Sequence, residues 1–175
     1  MIETARLLLR DWREEDIPTF AAMCADDDVM RYFAAKLSYV EAESLARRMK
    51  AELAERGWGL WAVEVKDGVP FIGFVGLQPP KFRSDVEIGW RLAKVGWGHG
   101  YATEAARAAL DYGFTQLKLP EIVSFTVPTN IPSQRVMERI GMVRDPSANF
   151  DHPNIPVGHP LRPHWLWRLA APPRT

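Results

Sequence analysis

Residues 84–114 change their period at one point. The stretch SDVEIGWRL (Ser84–Leu92) alternates, with Val86, Ile88, Trp90 and Leu92 on one face and Glu87, Gly89 and Arg91 on the other, the two-residue period of a strand. GWGHGYATEA (96–105) then sets glycines at 96, 98 and 100 and runs into YATEAARAALDYGF, rich in helix-forming alanine and glutamate. A strand that passes through a glycine bend into a long helix in mid-chain points to a fold mixing both element types.

The flanking sequence agrees. ARLLLRDW (Ala5–Trp12) reads as a strand, and Asp16-Ile17-Pro18 as a helix entry with Asp16 at the N-cap and proline in the first turn. Ile17, Phe20, Ala21 and Cys24 continue it at helical spacing. Ser38 and Glu41 form a capping box for a second helix, in which Leu45, Met49 and Leu53 recur before Gly57 ends it. LWAVEV carries Trp61, Val63 and Val65 on one face, Asp67-Gly68 supplies a hairpin turn, and FIGFVGL returns. EIVSFTV is a further strand, IPSQRVMERIGM a short helix beginning near Ser133 and closed by Gly141, and HWLWRL (His164–Leu169) a final strand. Between the last two, residues 145–163 are proline-rich and polar and read as a loop. With no repeat and no linker, the 175 residues form one mixed α/β (α+β) domain on a central sheet.

Composition narrows the function classes. The chain is 47% hydrophobic and 25% charged, with 22 basic and 22 acidic residues and a formal net charge of zero. That balance argues against nucleic acid or an anionic membrane as a partner held by bulk electrostatics. The single cysteine, Cys24, allows no intrachain disulfide and reads as a packing residue. The amino-terminal segment is too charged for a signal peptide, and no apolar run approaches the ~20 residues of a membrane span; a cytoplasmic protein is expected. His99, His152, His159 and His164, with Asp151, lack compact metal spacing, so no metal is expected.

The glycine bend has two readings: a cradle of backbone N–H groups for phosphate oxygens at a helix N-terminus, or a tight strand-to-helix turn. If it holds phosphate, two familiar nucleotide loops are excluded. No Gly-Lys-Ser/Thr ending follows, and a G-x-G-x-x-G frame fails at Thr103 from Gly98 and at Tyr101 from Gly96. Nor does the bend follow the first strand of a βαβ unit.

The chain resembles the GNAT superfamily of N-acetyltransferases. The family's Gln/Arg-x-x-Gly-x-Gly/Ala loop aligns with Trp97-Gly98-His99-Gly100-Tyr101-Ala102, matching at Gly100 and Ala102 and departing at Trp97. RLLLRDWREED, DDDVMRYF, EIGWRL, GYATEA and TVPTNIPSQRVMERIGM, in order over roughly residues 3–144, are similar to the branch that includes the ribosomal-protein N-terminal acetyltransferases. The resemblance implies a mostly antiparallel sheet with a V-shaped opening between two parallel strands, here Val86–Leu92 and Ile122–Val127, flanked by helices. It implies acetyl-coenzyme A in that opening. Backbone groups of Trp90, Arg91 and Leu92 would bond the pantetheine arm, the N–H groups of Gly98, His99, Gly100, Tyr101, Ala102 and Thr103 the pyrophosphate, and Asn130 the cofactor arm.

The implied reaction is direct attack of a primary amine on the thioester, needing alignment, oxyanion stabilisation (the Leu92 N–H is the candidate donor) and proton transfer. Glu87, on the strand beside the thioester, is either the general base or a solvated or salt-bridged strand residue. Many relatives carry a tyrosine acid seven residues after the asparagine; here that position is Met137. Ser133, in the first turn of the same helix, is either the acid, as the branch implies, or a helix cap. The seven tryptophans read mainly as packing; Trp12, Trp58, Trp61, Trp165 and Trp167 are candidates for acceptor-pocket walls. The expected acceptor is a protein N-terminus or a small-molecule amine, its site shaped by Ser147–Pro163 and the helices from Asp16 to Arg56. A monomer or a homodimer fits equally. Competing readings are a non-catalytic acyl-coenzyme A sensor on the same fold, kept open by Met137, and a nucleotide-binding protein.

Overall fold

The computed structural model describes residues 1–173. Its elements are β1 (Ile2–Glu3), β2 (Leu7–Arg10), α1 (Asp16–Ala25), α2 (Tyr39–Arg56), β3 (Leu60–Val65), β4 (Gly73–Gln78), β5 (Glu87–Leu92), a 3-10 turn (Lys94–Gly96), α3 (Tyr101–Thr115), β6 (Glu121–Thr126), α4 (Ile131–Arg139), β7 (Val143–Asp151) and β8 (Pro163–Ala170). They build one eight-stranded sheet in the order β1-β2-β3-β4-β5-β6-β8-β7. Every neighbouring pair is antiparallel except β5 and β6, joined through α3; β5–α3–β6 is thus a βαβ unit, and the glycine bend does follow its first strand, contrary to the sequence reading. The mixed α/β architecture and its parallel central pair match the sequence reading.

The helices separate the two faces. A Cβ on Gly113 of α3 would meet the Ile122 and Leu77 side chains at 2.7 and 3.0 Å, so α3 needs glycine there to lie close on the face shared by Leu77, Ile88 and Ile122. The opposite face, carrying Phe74, Gln78, Glu87, Arg91 and Val123, lies under α1: Phe20 packs edge-on against Phe74 with ring centroids 6.0 Å apart. The α2 capping box of Ser38 and Glu41 forms as the sequence predicts, and Gly57 closes the helix in the left-handed region at φ 74°.

Three local expectations change. Residues 145–163 are not a loop throughout: β7 runs to Asp151 and pairs with β8, with a register break between Asp145 and Phe150. Pro146 sits in that break on an edge strand, where a missing N–H is tolerated. The N-cap of α4 is Asn130, whose side chain accepts from the Ser133 N–H, so the helix begins two residues before Ser133. Asp16 is inside α1 rather than its N-cap, which is Glu15.

Asp16 has another partner. Arg10 and Asp16 are both nearly buried and bonded through two guanidinium nitrogens, at 2.8 and 2.9 Å. Arg10 also reaches Glu64 at 2.6 Å and the Pro70 carbonyl, tying α1 to β2, β3 and the approach to β4. Burial works against the Arg10 charge, but the Asp16 and Glu64 hydrogen bonds outweigh it and hold its pKa above the usual arginine value. Asp16→Ala leaves a buried guanidinium with half of its compensation and should cost about 3 kcal/mol. Urea unfolding would show this as a lower midpoint; an unchanged midpoint would contradict the assignment.

Candidate active site

The sheet opens between β5 and β6. The two strands share a single register pair, Glu87 with Val123. Val123 N–H donates to the Val86 carbonyl, and the Ser124 hydroxyl to the Ile88 carbonyl, each at 2.9 Å. Past Ile88 the strands diverge. Backbone direction alternates along β5, and Ala93 N–H bonds the Ile72 carbonyl in the same register that pairs Arg91 with Phe74. The Arg91 peptide groups are therefore spent on β4, whereas those of Trp90 and Leu92 face the gap. Of the three β5 backbone positions expected to serve a ligand, the register leaves these two. The Leu92 carbonyl is taken by the Trp97 indole N–H at 2.8 Å, so Trp97 braces the bend where arginine or glutamine is usual in the family.

The gap opens toward the carboxyl ends of both strands, and each strand feeds a helix whose N-terminus lies at that end: α3 after β5, α4 after β6. A crevice outside the carboxyl ends of parallel strands is the usual ligand position in α/β sheets. At the α3 end, the N–H groups from Gly98 through Thr103 have no acceptor among the described residues. Gly98 and Gly100 take φ +78° and +79°, and a Cβ on Gly98 would meet nothing within 4 Å. Open space before a run of unpaired N–H groups and a helix N-terminus fits a pyrophosphate. The glycines thus make the tight turn and leave these N–H groups open to a ligand. Arg6 reinforces it, donating to the His99 carbonyl at 3.0 Å, lying over the Tyr101 ring and pairing with Glu104 at 2.7 Å.

Glu87 is neither solvated nor salt-bridged. It is only 8% exposed, and its one hydrogen-bond partner among the described residues is the Gln78 amide opposite it on β4, at 2.8 Å. Burial pushes its carboxyl up to about 7, against the opposing pull of the Gln78 hydrogen bond and the nearby Arg83 charge. On its face follow Gly89, with no side chain, and Arg91, whose guanidinium lies 4.1 Å from the Phe33 ring centroid and donates to Cys24 Sγ at 3.2 Å. Arg91 therefore clips α1 and the α1–α2 connection to β5.

At the α4 end, Asn130 is engaged within the protein: its amide donates to Thr126 Oγ1 at 2.9 Å while its oxygen caps α4. That leaves Ser133 relieved of capping, with a hydroxyl that has no hydrogen-bond partner among the described residues. Met137 is 1% exposed and belongs to the core. No group of three or more His, Cys, Asp or Glu side chains converges as a metal site, and no helix is long and apolar enough to cross a membrane, both among the described residues.

This arrangement coincides with a known family. Residues 6–143 match the acetyltransferase (GNAT) domain. The chain belongs to the GNAT family. It is 34% identical over 159 residues to YnaD of Bacillus subtilis, named as an uncharacterized N-acetyltransferase, covering 90% of this chain and 89% of that one. A GNAT-family acetyltransferase from Bacillus anthracis superimposes with a TM-score of 0.81 at 28% identity, covering 97% and 98% of the two chains. A ribosomal-protein-S5-alanine acetyltransferase from Vibrio fischeri shares the fold, with a TM-score of 0.75 at 17% identity over 97% and 95% of the chains. The protein is accordingly an acetyl-coenzyme A-dependent acyltransferase.

Several site residues carried no signal in sequence. Gln78, Arg83 and Arg6 reach the site from other segments, and Arg6 lies 98 residues from Glu104. In a thermal-shift assay, coenzyme A at about 100 times its Kd should raise Tm by roughly 5–10 °C, with ATP and NAD giving no comparable shift. Gly98→Ala forces a side chain into the left-handed region, at about 1–2 kcal/mol, and should remove most of the shift. Equal protection by NAD would contradict the coenzyme assignment.

Proposed function

We propose that the protein transfers the acetyl group of acetyl-coenzyme A to a primary amine, a protein N-terminal α-amine or a small-molecule amine, by direct attack within a ternary complex. Glu87 acts as general base and Ser133 as general acid. The amine nitrogen bonds the thioester carbonyl carbon, the C–S bond breaks, the amine proton passes to Glu87, and the thiolate takes a proton from Ser133, which solvent replenishes. Trp90 and Leu92 turn backbone donors toward the gap, with Leu92 N–H as the oxyanion donor, and the amides of 98–103 hold the pyrophosphate. The observation that carries this reading is Glu87: a buried carboxyl poised near neutrality, the condition for an efficient base at physiological pH.

That poise bears on the acceptor. Moving a proton from an α-amine with pKa near 8 to a carboxyl near 7 costs about 1.4 kcal/mol, whereas a lysine-type amine near 10.4 costs roughly 4–5 kcal/mol. The reading favours the less basic amine. The relatives support the reaction class, YnaD being named an N-acetyltransferase.

Glu87→Gln keeps shape and the Gln78 contact but removes the base. It should lower kcat about a hundredfold or more with coenzyme affinity unchanged. In the parent, kcat/KM should rise with pH through about 7 as the carboxyl ionises, a limb absent from the variant. Stability moves the other way. Because the folded pKa is raised above the unfolded one, the folded state binds more protons between about pH 4.5 and 7, and stability falls as pH rises across that window. At pH 8 the variant should be up to ~3 kcal/mol more stable. Activity that is identical for both proteins across pH would sink Glu87 as the base.

A further inference from the structure

On the face that carries Glu87, α1 and α2 end their cover early. They pack on one another and toward β3 and β4, while β8 and β7 lie at the far end of the sheet. The uncovered part is aromatic. Phe125 lies two residues beyond Val123, the register partner of Glu87, on the same face and so about 7 Å along the strand. Around it stand Phe82 from the β4–β5 connection, Phe150 from β7, and His152 and His164, with neighbouring ring centroids 4.8–6.0 Å apart. All but His164 are only half-buried, and the three phenylalanines are not part of the main core. A half-open aromatic wall beside a catalytic carboxyl is surface kept apolar for a ligand.

The charges around the wall restrict that ligand. Both imidazoles are held neutral: burial, the neighbouring His164 and the Arg162 charge push His152 down to about 4, and burial lowers His164. Their hydrogen bonds fix the tautomers. His152 Nδ1 accepts from the Asn154 N–H at 3.2 Å, and His164 Nδ1 faces the Arg162 carbonyl at 3.0 Å and must donate to it. The fixed charges nearby are Arg83, over the Phe150 ring and paired with Asp85, and Arg162, paired with Asp151. Beyond Glu87, then, the charges at this wall are matched in pairs, and among the described residues it offers a second ammonium no unpaired carboxylate. A polycation gains no unpaired counter-charge here, and a flat uncharged group finds ring faces and edges.

We propose that the wall of Phe82, Phe125, Phe150, His152 and His164 selects an acceptor with one primary amine and an aromatic ring a few bonds away. It rests on the reading of Glu87 as the acetyl-transfer base. An arylalkylamine and an aromatic residue at a peptide N-terminus share this chemistry, and matched acceptors separate them.

With acetyl-coenzyme A as donor and thiol release as readout, phenethylamine is compared with hexylamine, the peptide Phe-Gly-Gly with Ala-Gly-Gly, and spermidine with all four. The aromatic member of at least one pair should exceed its aliphatic partner about 30-fold in kcat/KM, and exceed spermidine by at least as much. A gain in the first pair alone identifies a small amine as acceptor, and in the second alone an N-terminus. Phe125→Ala should raise KM for the aromatic acceptor about tenfold, with kcat and the aliphatic partner's KM little changed. Phe82→Leu, in a loop, should show a smaller loss in the same direction without threatening the fold. Preference for spermidine, or equal ratios in parent and both variants, would overturn the selection while acetyl transfer to amines stands. Coenzyme binding with no transfer to any of the five acceptors would overturn both.

Discussion

The gap between β5 and β6 is the constraint on which the rest of the molecule depends. Two parallel strands held by one register pair leave backbone groups of Trp90 and Leu92 without strand partners, and such groups are costly unless something else satisfies them. The surrounding architecture maintains that opening. The strands on either side are tied outward in antiparallel ladders, β5 to β4 and β6 to β8. Trp97 occupies the Leu92 carbonyl. The two helices that follow the splayed strands bring their N-termini to the same end, so electrostatics as well as unpaired N–H groups favour an anionic ligand there.

The same strand holds a buried carboxyl at a cost in stability. Glu87 sits at the last paired position, where the sheet is still closed enough to bury it, and a single neutral amide serves as its hydrogen-bond partner. A carboxylate with an arginine partner would be more stable and too weak a base. Burial with only a glutamine beside it and Arg83 farther off raises the pKa instead. Charge compensation is concentrated elsewhere, in the Arg10–Asp16–Glu64 cluster that fixes α1, and Arg91 reaches the same helix through the Cys24 thiol and the connection after it through the Phe33 ring. Strong ionic ties thus lie in the scaffold, while the site keeps its carboxyl free.

Much of this was legible in sequence because it is local. The alternation of Ser84–Leu92 placed Glu87 and Arg91 on one face, and the Ser38/Glu41 box and Gly57 delimited α2. The glycine bend was legible as a turn open to an anion because the left-handed backbone at Gly98 and Gly100 is written in those residues. β7 escaped because an edge strand tolerates Pro146 and polar side chains that look like loop. The α4 cap escaped because Asn130 does what Ser133 was equally able to do. The distinction between Arg91 and its neighbours required the pairing direction of β5, which alternation of side chains does not reveal. The aromatic wall is assembled from the β4–β5 connection, β6, β7, its following loop and β8; no spacing within one segment encodes it.

Amide chemical shifts followed through a titration with coenzyme A locate the coenzyme on the chain. The backbone amides of Gly98–Thr103, Trp90 and Leu92 should move together with one affinity, while that of Arg91, bonded to β4, should move much less. Shifts centred on β7 and β8, or on Arg10 and Asp16, with the 98–103 amides still, would contradict the assignment of the gap as the coenzyme site.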